Sequence, residues 1–584
     1  MFSIFSNLIQ KGKLFAAFLF FIFSPFILKD ELIDPSNTLR GLLLPILLLA
    51  YLYLNREKEQ WQVPPFYFRL FFGSYLLIVS TGFFFALNTA EVLNSLTKLI
   101  LFYACLCLSL DLWKNQPLRL LSAIRYVSIS VSLLLIYLLL QLPDLSRQSL
   151  YSVQLFYEHK NLIASFLFIL LAFTVLQLQN TELRHRWFSI LNFVLLFTLL
   201  VLLQVRSVYI ALLVTAAVLL FFRFRTTSAS NLLLPVLIFL TAFIFLTGPD
   251  KLYARLKPFL GSMEERVQLW SKTVEVIQDD PIFGCGAGNW QFNFSKHSIA
   301  GITNLENGIT AQHPHNELLA IWSENGSLGL LALGLLIAFL ARHTVYALKK
   351  GSGRETEIYL AFLCGFFIEA QFSFPKERIL LLTAFAFLLG GFMDSVQLSG
   401  TVSRKNKGRF ALIILALIFA TYFFRVRGEY YTKVLLTAQQ AKDARGMIAA
   451  GKKASSPFYT TDPTSSPIAS YIGAAYFDLN NTDSLLFYCN QAATLAPFDY
   501  EVQSNLGFAL TRAGKPDEAR QHLREALRIH PRDEGAWLNL VVLDYSLKNY
   551  EDALNELMQI PDFESKYPQH LSTLQKAFAE SLEN

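Results

Sequence analysis

The first 425 residues are a succession of long apolar runs separated by short polar segments. The runs lie near 14–28, 39–54, 66–86, 96–113, 119–142, 161–179, 187–205, 207–222, 231–247, 318–347, 357–373, 378–396 and 409–425. Roughly 20 apolar residues let a helix cross a bilayer, and several runs reach that length. A span must satisfy its own backbone hydrogen bonds, so consecutive runs of this kind predict helices. The first run follows Lys11 and Lys13. No small-residue cleavage site succeeds it and further spans do, which predicts an uncleaved helix and not a signal peptide. The expected fold class is all-α: a polytopic membrane helix bundle of about 12–13 spans, then a soluble α-helical solenoid.

Beyond Pro467 the pattern becomes a repeat. Gly473-Ala-Ala-Tyr476 returns as Gly507-Phe-Ala-Leu510, and Pro497 returns as Pro531, both at an offset of 34 residues. Ala492 and Ala493 match Ala526 and Leu527 at the same offset, and a weaker third copy, Asn539–Ile560, keeps Ala553 where Ala519 stood. Small residues at helix contacts and a terminal proline at this period resemble tetratricopeptide repeats, helical pairs that stack into a concave surface. A degenerate earlier copy is expected over Glu429–Phe458. Such surfaces commonly bind a protein partner; the blander alternative is a stabilising cap.

Composition agrees with a membrane class. Hydrophobic residues make up 53% of the chain, with 53 phenylalanines and a mean hydropathy of +0.40, more apolar than soluble domains are. The net charge of +6 is divided unevenly: residues 468–584 hold 17 acidic and 9 basic side chains, which leaves a balance of +14 before them. The basic excess falls on every second loop, at Lys11/Lys13, Arg56/Lys58, Lys114/Arg119, Arg184/Arg186, Arg223/Arg225, Lys349/Lys350/Arg354 and Arg404/Lys405/Lys407/Arg409. That alternation is a topology signal, not a nucleic-acid surface, and assigns these loops to the cytoplasm. Loops 87–95, 143–160 and 248–317 then face outward, as does the C-terminus. The expected organisation is transmembrane helices over 1–247, an outer loop over 248–317, further transmembrane helices over 318–426 and a periplasmic repeat domain over 427–584, in a bacterial inner membrane. The five cysteines, at 105, 107, 285, 364 and 489, form no CxxC pair and read as small buried hydrophobes.

Ionisable residues near spans are costly to bury and therefore mark candidate sites. Four places on the outward side stand out. In Glu158-His159-Lys160-Asn161, which opens a span, Lys160 either serves a site or snorkels as part of an interfacial cap. Arg206 lies in Leu203-Gln-Val-Arg-Ser-Val-Tyr209, where two apolar runs meet with almost no loop. It needs an anionic partner, either a lipid phosphate or an acidic side chain. Arg266 lies on an amphipathic helix marked by positions 266, 269/270, 273 and 277, which ends at Asp280-Pro281. Gly284, Gly286 and Gly288 then permit a tight turn. Finally, His313-Pro-His315-Asn316 precedes the run at 318–347. No third nitrogen or sulfur ligand has suitable spacing, so no metal is expected. An imidazole there can take a proton from a hydroxyl near neutral pH, and Asn316 can cap the helix. Glu324 falls two turns inside the same span, able to orient the histidine or pair with an arginine, while Trp322 and the Gly326/Gly329 pair read as helix packing.

In order, the Arg206-Ser207 turn, the segment Arg266…Trp270…Pro281-Ile-Phe-Gly284-Cys-Gly286, and His315-Asn316…Glu324…Gly326 resemble the O-antigen ligase superfamily. That superfamily includes O-antigen polymerases and bacterial protein O-oligosaccharyltransferases. The resemblance covers roughly residues 150–400. It implies a GT-C-type membrane glycosyltransferase that moves a glycan from undecaprenyl diphosphate, on the outer leaflet, to a hydroxyl acceptor. No nucleotide sugar, cofactor or metal is implied. His315 would be the catalytic base, with Arg206 and Arg266 holding the diphosphate as negative charge develops on it. Lys160, which matches less firmly, and His313, Asn316 and Glu324 would support them. Direct displacement would invert the anomeric centre.

The acceptor stays open. Lipid A–core would make the chain a ligase, a Ser or Thr of a secreted protein an O-oligosaccharyltransferase, and another glycan a polymerase. The repeats lean towards a protein acceptor or partner. A transporter and a non-catalytic scaffold are the readings from other classes; no matching halves or paired interrupted helices favour the first.

Overall fold

The computed structural model describes residues 17–22, 31–55, 57–144, 149–150, 152–155, 158–179, 183–224, 249–306, 311–403 and 408–583. The run at 14–28 is helical over 17–22 and otherwise, like the run at 231–247, lies outside the described residues. The other eleven apolar runs are helices. They are α1 (Pro35–Leu54), α2 (Phe66–Thr81), α3 (Thr89–Asn115), α4 (Pro117–Leu140), α5 (Lys160–Gln179), α6 (Leu183–Leu202) and α7 (Arg206–Phe224). After the outer-loop helix α8 (Pro249–Asp279) come α9 (Glu317–Lys349), α10 (Arg354–Glu369), α11 (Ile379–Ser395) and α12 (Gly408–Gln440). Among the described residues, eight helices, with α2 counted through Phe84, are long and apolar enough to cross a membrane; the apolar part of α6 (Arg186–Leu202), α10 and α11 are shorter. The chain is a multi-pass, mostly helical membrane protein.

Helix α5 is the axis of the bundle. Its sequence is apolar on every face, the mark of a helix with neighbours all round, and nearly all of it is buried, from Leu162 through Phe173 without a break. Helices α4, α6, α7, α10 and α11 pack against it; α10 also packs against α7, α11 against α3, α1 against α12, and α2 against α9. Large apolar side chains such as Leu77, Phe84, Leu140 and Trp187 project outward from the bundle, as suits a lipid-facing surface. At one end, β1 (Gln60–Val63) pairs antiparallel with β4 (Gly400–Ser403). At the other, β2 (Gln154–Leu155) and β3 (Glu158–His159) form a small hairpin that leads straight into α5.

The tail is not a separate appendage. Helix α12 runs for 33 residues out of the bundle and into the tail, so the boundary expected at 426/427 falls inside a continuous helix. The expected repeats are helical pairs: α14 (Ile468–Asp478) with α15 (Thr482–Leu495), α16 (Tyr500–Arg512) with α17 (Pro516–Ile529), and α18 (Glu534–Ser546) with α19 (Tyr550–Leu557), closed by α20 (Pro568–Glu583). The end of α12 and α13 (Ala444–Ala454) make the degenerate earlier pair. Small residues let the partners approach: a Cβ on Gly507 would meet Leu523, and Ala519, Ala526 and Ala553 are fully buried.

The tail also docks on the segment after α8. The Ile299 amide donates to the Ile529 carbonyl (2.9 Å), Arg528 to the Lys296 carbonyl (2.8 Å), and Tyr500 packs against the apolar cluster around Leu269, Trp290 and Phe294.

Candidate functional site

The site end of the bundle is built on a broken helix. Asn316 caps α9, its side chain accepting from the Leu319 amide at 3.0 Å. The chain then breaks at Gly326, whose φ of 62° and ψ of −169° are open to glycine almost alone. Glu324 therefore does not lie two turns inside a continuous span: Glu317–Asn325 is a short helix of its own, and the membrane run starts after the break. Nor does Gly326 serve helix packing, as the sequence suggested. A Cβ there would lie 2.0 Å from the Ile282 carbonyl oxygen, because the 281–286 loop threads through the break. Ser327 N donates to Pro281 O (2.8 Å), Cys285 N to Ser323 O (2.8 Å) and Gly286 N to Glu324 O (2.9 Å). Gly284, Gly286 and Gly288 all have positive φ, which allows this close approach. Trp322 is partly exposed, its indole directed at Ser327 Oγ.

His315 has φ 53°, a left-handed conformation worth about 1–3 kcal/mol of strain in a non-glycine residue. It is held by its neighbours. Trp270 Nε1 donates to the Pro314 carbonyl at 2.9 Å, and the Phe374 ring lies 4.7 Å from His313 and 5.3 Å from His315, centroid to centroid. Burial, the Arg266 guanidinium and His159 push the His315 imidazole down to about 4. Burial also lowers His313, to about 3, with Glu377 opposing. Both rings are neutral at physiological pH.

Arg266 projects from α8, whose buried face is Leu269, Thr273, Val276 and Ile277, the stripe read from the sequence. It lies close enough to act on both His315 and Glu369, the last residue of α10. Glu369 accepts from Ser165 (2.7 Å) and from Ser207, the residue after Arg206 at the start of α7. The Arg206 turn is as tight as expected: α6 ends at Leu202, Gln204 takes φ 54°, and Leu203 and Val205 are buried. Lys160 starts α5 and is 2% exposed, so it does not snorkel as an interfacial cap would. Arg266 thus links His315 to Glu369, where Ser165 of α5 and Ser207 of the Arg206 turn meet.

His313 and Glu324 face elsewhere, into a polar cavity of about 90 Å³ lined also by Lys98, Glu377, Arg425 and Asp462. Neither His315, Arg206, Arg266 nor Lys160 lines it. The Phe374 ring contacts both histidines.

Sequence reasoning missed the residues that tie this together, Lys376-Glu377-Arg378, in the turn between α10 and α11. Lys376 Nζ donates to Glu324 Oε2 (2.7 Å) and its amide to Glu317 Oε1 (2.8 Å). Glu377 accepts from Lys98 Nζ (2.6 Å). Arg378 donates to Asp34 Oδ2 (2.8 Å) and sits 3.7 Å from Glu158 Oε2. Burial would raise the Glu377 carboxyl, but Lys98 and Lys376 outweigh it and hold it well down. Burial would likewise lower Lys376, yet Glu324, Glu377 and Glu317 keep it firmly charged. The available signal was three successive charges at the junction of two apolar runs on the outward side.

Among the described residues no group of three or more His, Cys, Asp or Glu side chains is arranged to hold a metal ion. The cysteines are unpaired, with 105, 285 and 489 buried.

With this geometry in view, residues 191–334 match the family model described as "O-Antigen ligase", and residues 510–577 match one described as "Tetratricopeptide repeat". The chain carries an O-antigen ligase domain and a C-terminal tetratricopeptide repeat. The O-antigen ligase match spans Arg206, Arg266, His313, His315, Asn316, Glu324 and the Gly326 break; Lys160 and the Lys376–Arg378 turn lie outside it. The O-antigen ligase match implies a glycosyltransferase with a lipid-linked glycan donor. No curated protein matches the chain. Among solved structures, a chain of "Crystal structure of APC/C hetero-tetramer Cut9-Hcn1" is 13% identical, with 82% of this chain and 76% of that chain covered, at a TM-score of 0.23. At that score it adds nothing to the reading of this fold.

Proposed function

We propose that the protein transfers a glycan from an undecaprenyl-diphosphate carrier to a hydroxyl acceptor at the tail-bearing face of the bundle. The observation that carries this reading is the pairing of a neutral imidazole, His315, with the Arg266 guanidinium beside it. A neutral imidazole can accept the acceptor's proton as its oxygen attacks the anomeric carbon. The bond from that carbon to the diphosphate oxygen breaks, and the lipid diphosphate leaves with the electron pair. Arg266 and Arg206 would stabilise the charge that develops there, with Lys160 adding positive field. Attack opposite the leaving group inverts the anomeric centre, and no step calls for a metal or cofactor.

The basic excess on every second loop of the sequence supports an orientation with site and tail in the periplasm of a bacterial inner membrane. The acid-rich repeats beside the site favour a protein acceptor or protein partner. Lipid A–core and a growing glycan are the competing acceptors.

Purified full-length protein in proteoliposomes, given undecaprenyl-diphosphate glycan together with lipid A–core or a Ser/Thr-bearing protein, tests the reading. Conjugate on one acceptor, with equimolar lipid diphosphate released, is the expected result. No conjugate on any acceptor would sink it.

A further inference from the structure

The loop between α13 and α14, Ser455–Pro467, turns back from the tail to the bundle. Its Thr461, Asp462 and Pro463 wall the polar cavity that holds His313 and Glu324. The loop is ordered from within. Asp462 Oδ1 accepts from the Thr464 and Ser466 amides at 2.8 and 2.9 Å, and Oδ2 from the Tyr471 hydroxyl at 2.8 Å. Thus stiffened, it bonds to three separate outer elements. Thr460 Oγ1 donates to Asn88 Oδ1 at the head of α3 (3.0 Å), and Ser465 Oγ donates to Gln291 Oε1 (2.6 Å). The third bond runs from Gln312 Nε2 to the Pro463 carbonyl.

That third bond is one residue before His313 and three before His315. The Gln312–Asn316 segment has three anchors: the tail loop on Gln312, the Trp270 indole on the Pro314 carbonyl, and the Asn316 cap on α9. The bundle and α8 supply two. The tail supplies the one at the leading end. A histidine in the left-handed region keeps its ring direction only where the surrounding structure fixes the backbone on both sides, and His315 is such a residue.

We propose that the Ser455–Pro467 loop positions His315, so that the tail completes the transfer site as well as engaging any partner. This rests on the reading of His315 as the base. Gln312, Thr460 and Ser465 are positioning residues: they act through the backbone of the His-Pro-His segment and touch no substrate.

The test uses full-length protein as wild type, Gln312→Ala, and Thr460→Ala/Ser465→Ala, with two readouts. One is steady-state transfer, resolved into kcat and donor KM. The other needs no turnover: the rate at which diethyl pyrocarbonate carbethoxylates His313 and His315, followed by peptide mass spectrometry. Small misplacements of a catalytic group are costly. The expected result is therefore a fall in kcat of about tenfold or more, with donor KM and the unfolding temperature unchanged and both histidines labelled faster. Wild-type kcat and labelling in both variants would overturn the proposal. So would a lower unfolding temperature with loss shared between kcat and KM, which is ordinary structural damage. If wild type transfers nothing while Gln312→Ala still labels faster, the loop's hold on the segment stands and the reading of His315 as base falls.

Discussion

At the scale of single residues, the site turns on the protonation of His315. Burial, Arg266 and His159 hold its imidazole down to about 4, so the free protein keeps the base form until the pH falls through that value. An unshifted imidazole would lose it near about 6.5. The acid limb of kcat/KM, which reports the free protein, is expected near pH 4. A bound diphosphate adds negative charge and favours the imidazolium, so the limb of kcat should lie at higher pH. Profiles from pH 3 to 8 check both; a shared limb near 6.5 would remove the buried imidazole from the chemistry. His315 was legible because a polar cluster at the mouth of an apolar run is costly. Its left-handed backbone was not, since histidine carries no marker for that conformation as glycine does.

At the scale of elements, the break at Gly326 and the Lys376-Glu377-Arg378 turn set the geometry. Gly326→Ala puts a Cβ 2.0 Å from the Ile282 oxygen at a φ of 62°. It should lower the unfolding temperature and transfer together, by about 1–3 kcal/mol from the backbone alone. A functional protein of unchanged stability would show that the threaded loop is dispensable. Lys376→Met would strip Glu324 and Glu317 of their cation and destabilise by about 3 kcal/mol, the low end for breaking a buried pair because Lys376 keeps some exposure. Lys376→Arg should retain most of that stability, and thermal unfolding in detergent compares the two. Periodicity found the helices because a span's length is fixed by the bilayer. It did not find the break, because the polar stretch Ser323-Glu-Asn-Gly-Ser327 sits inside what reads as one run, nor the turn, whose partners Asp34, Lys98 and Glu324 are far away in sequence.

At the scale of the whole molecule, bundle and tail form one structure joined by α12. The 34-residue period announced the repeats, but nothing in it announced their docking, which depends on backbone bonds such as Ile299 to Ile529. Removing residues 468–584 would bare the Leu269–Trp290–Phe294 cluster where Tyr500 now packs. The expected outcome is a lower unfolding temperature and faster proteolysis between residues 280 and 306. An unchanged digest would return the tail to the status of an appendage. The claim on which all three scales meet is that His315 takes the acceptor's proton while Arg266 holds the departing diphosphate. Its most direct test is a single-turnover measurement of acceptor-dependent lipid-diphosphate release, with donor binding measured in parallel, in wild type and His315→Ala. The account predicts a rate loss of about 10²–10⁴-fold in His315→Ala with donor affinity retained; release near the wild-type rate would contradict it.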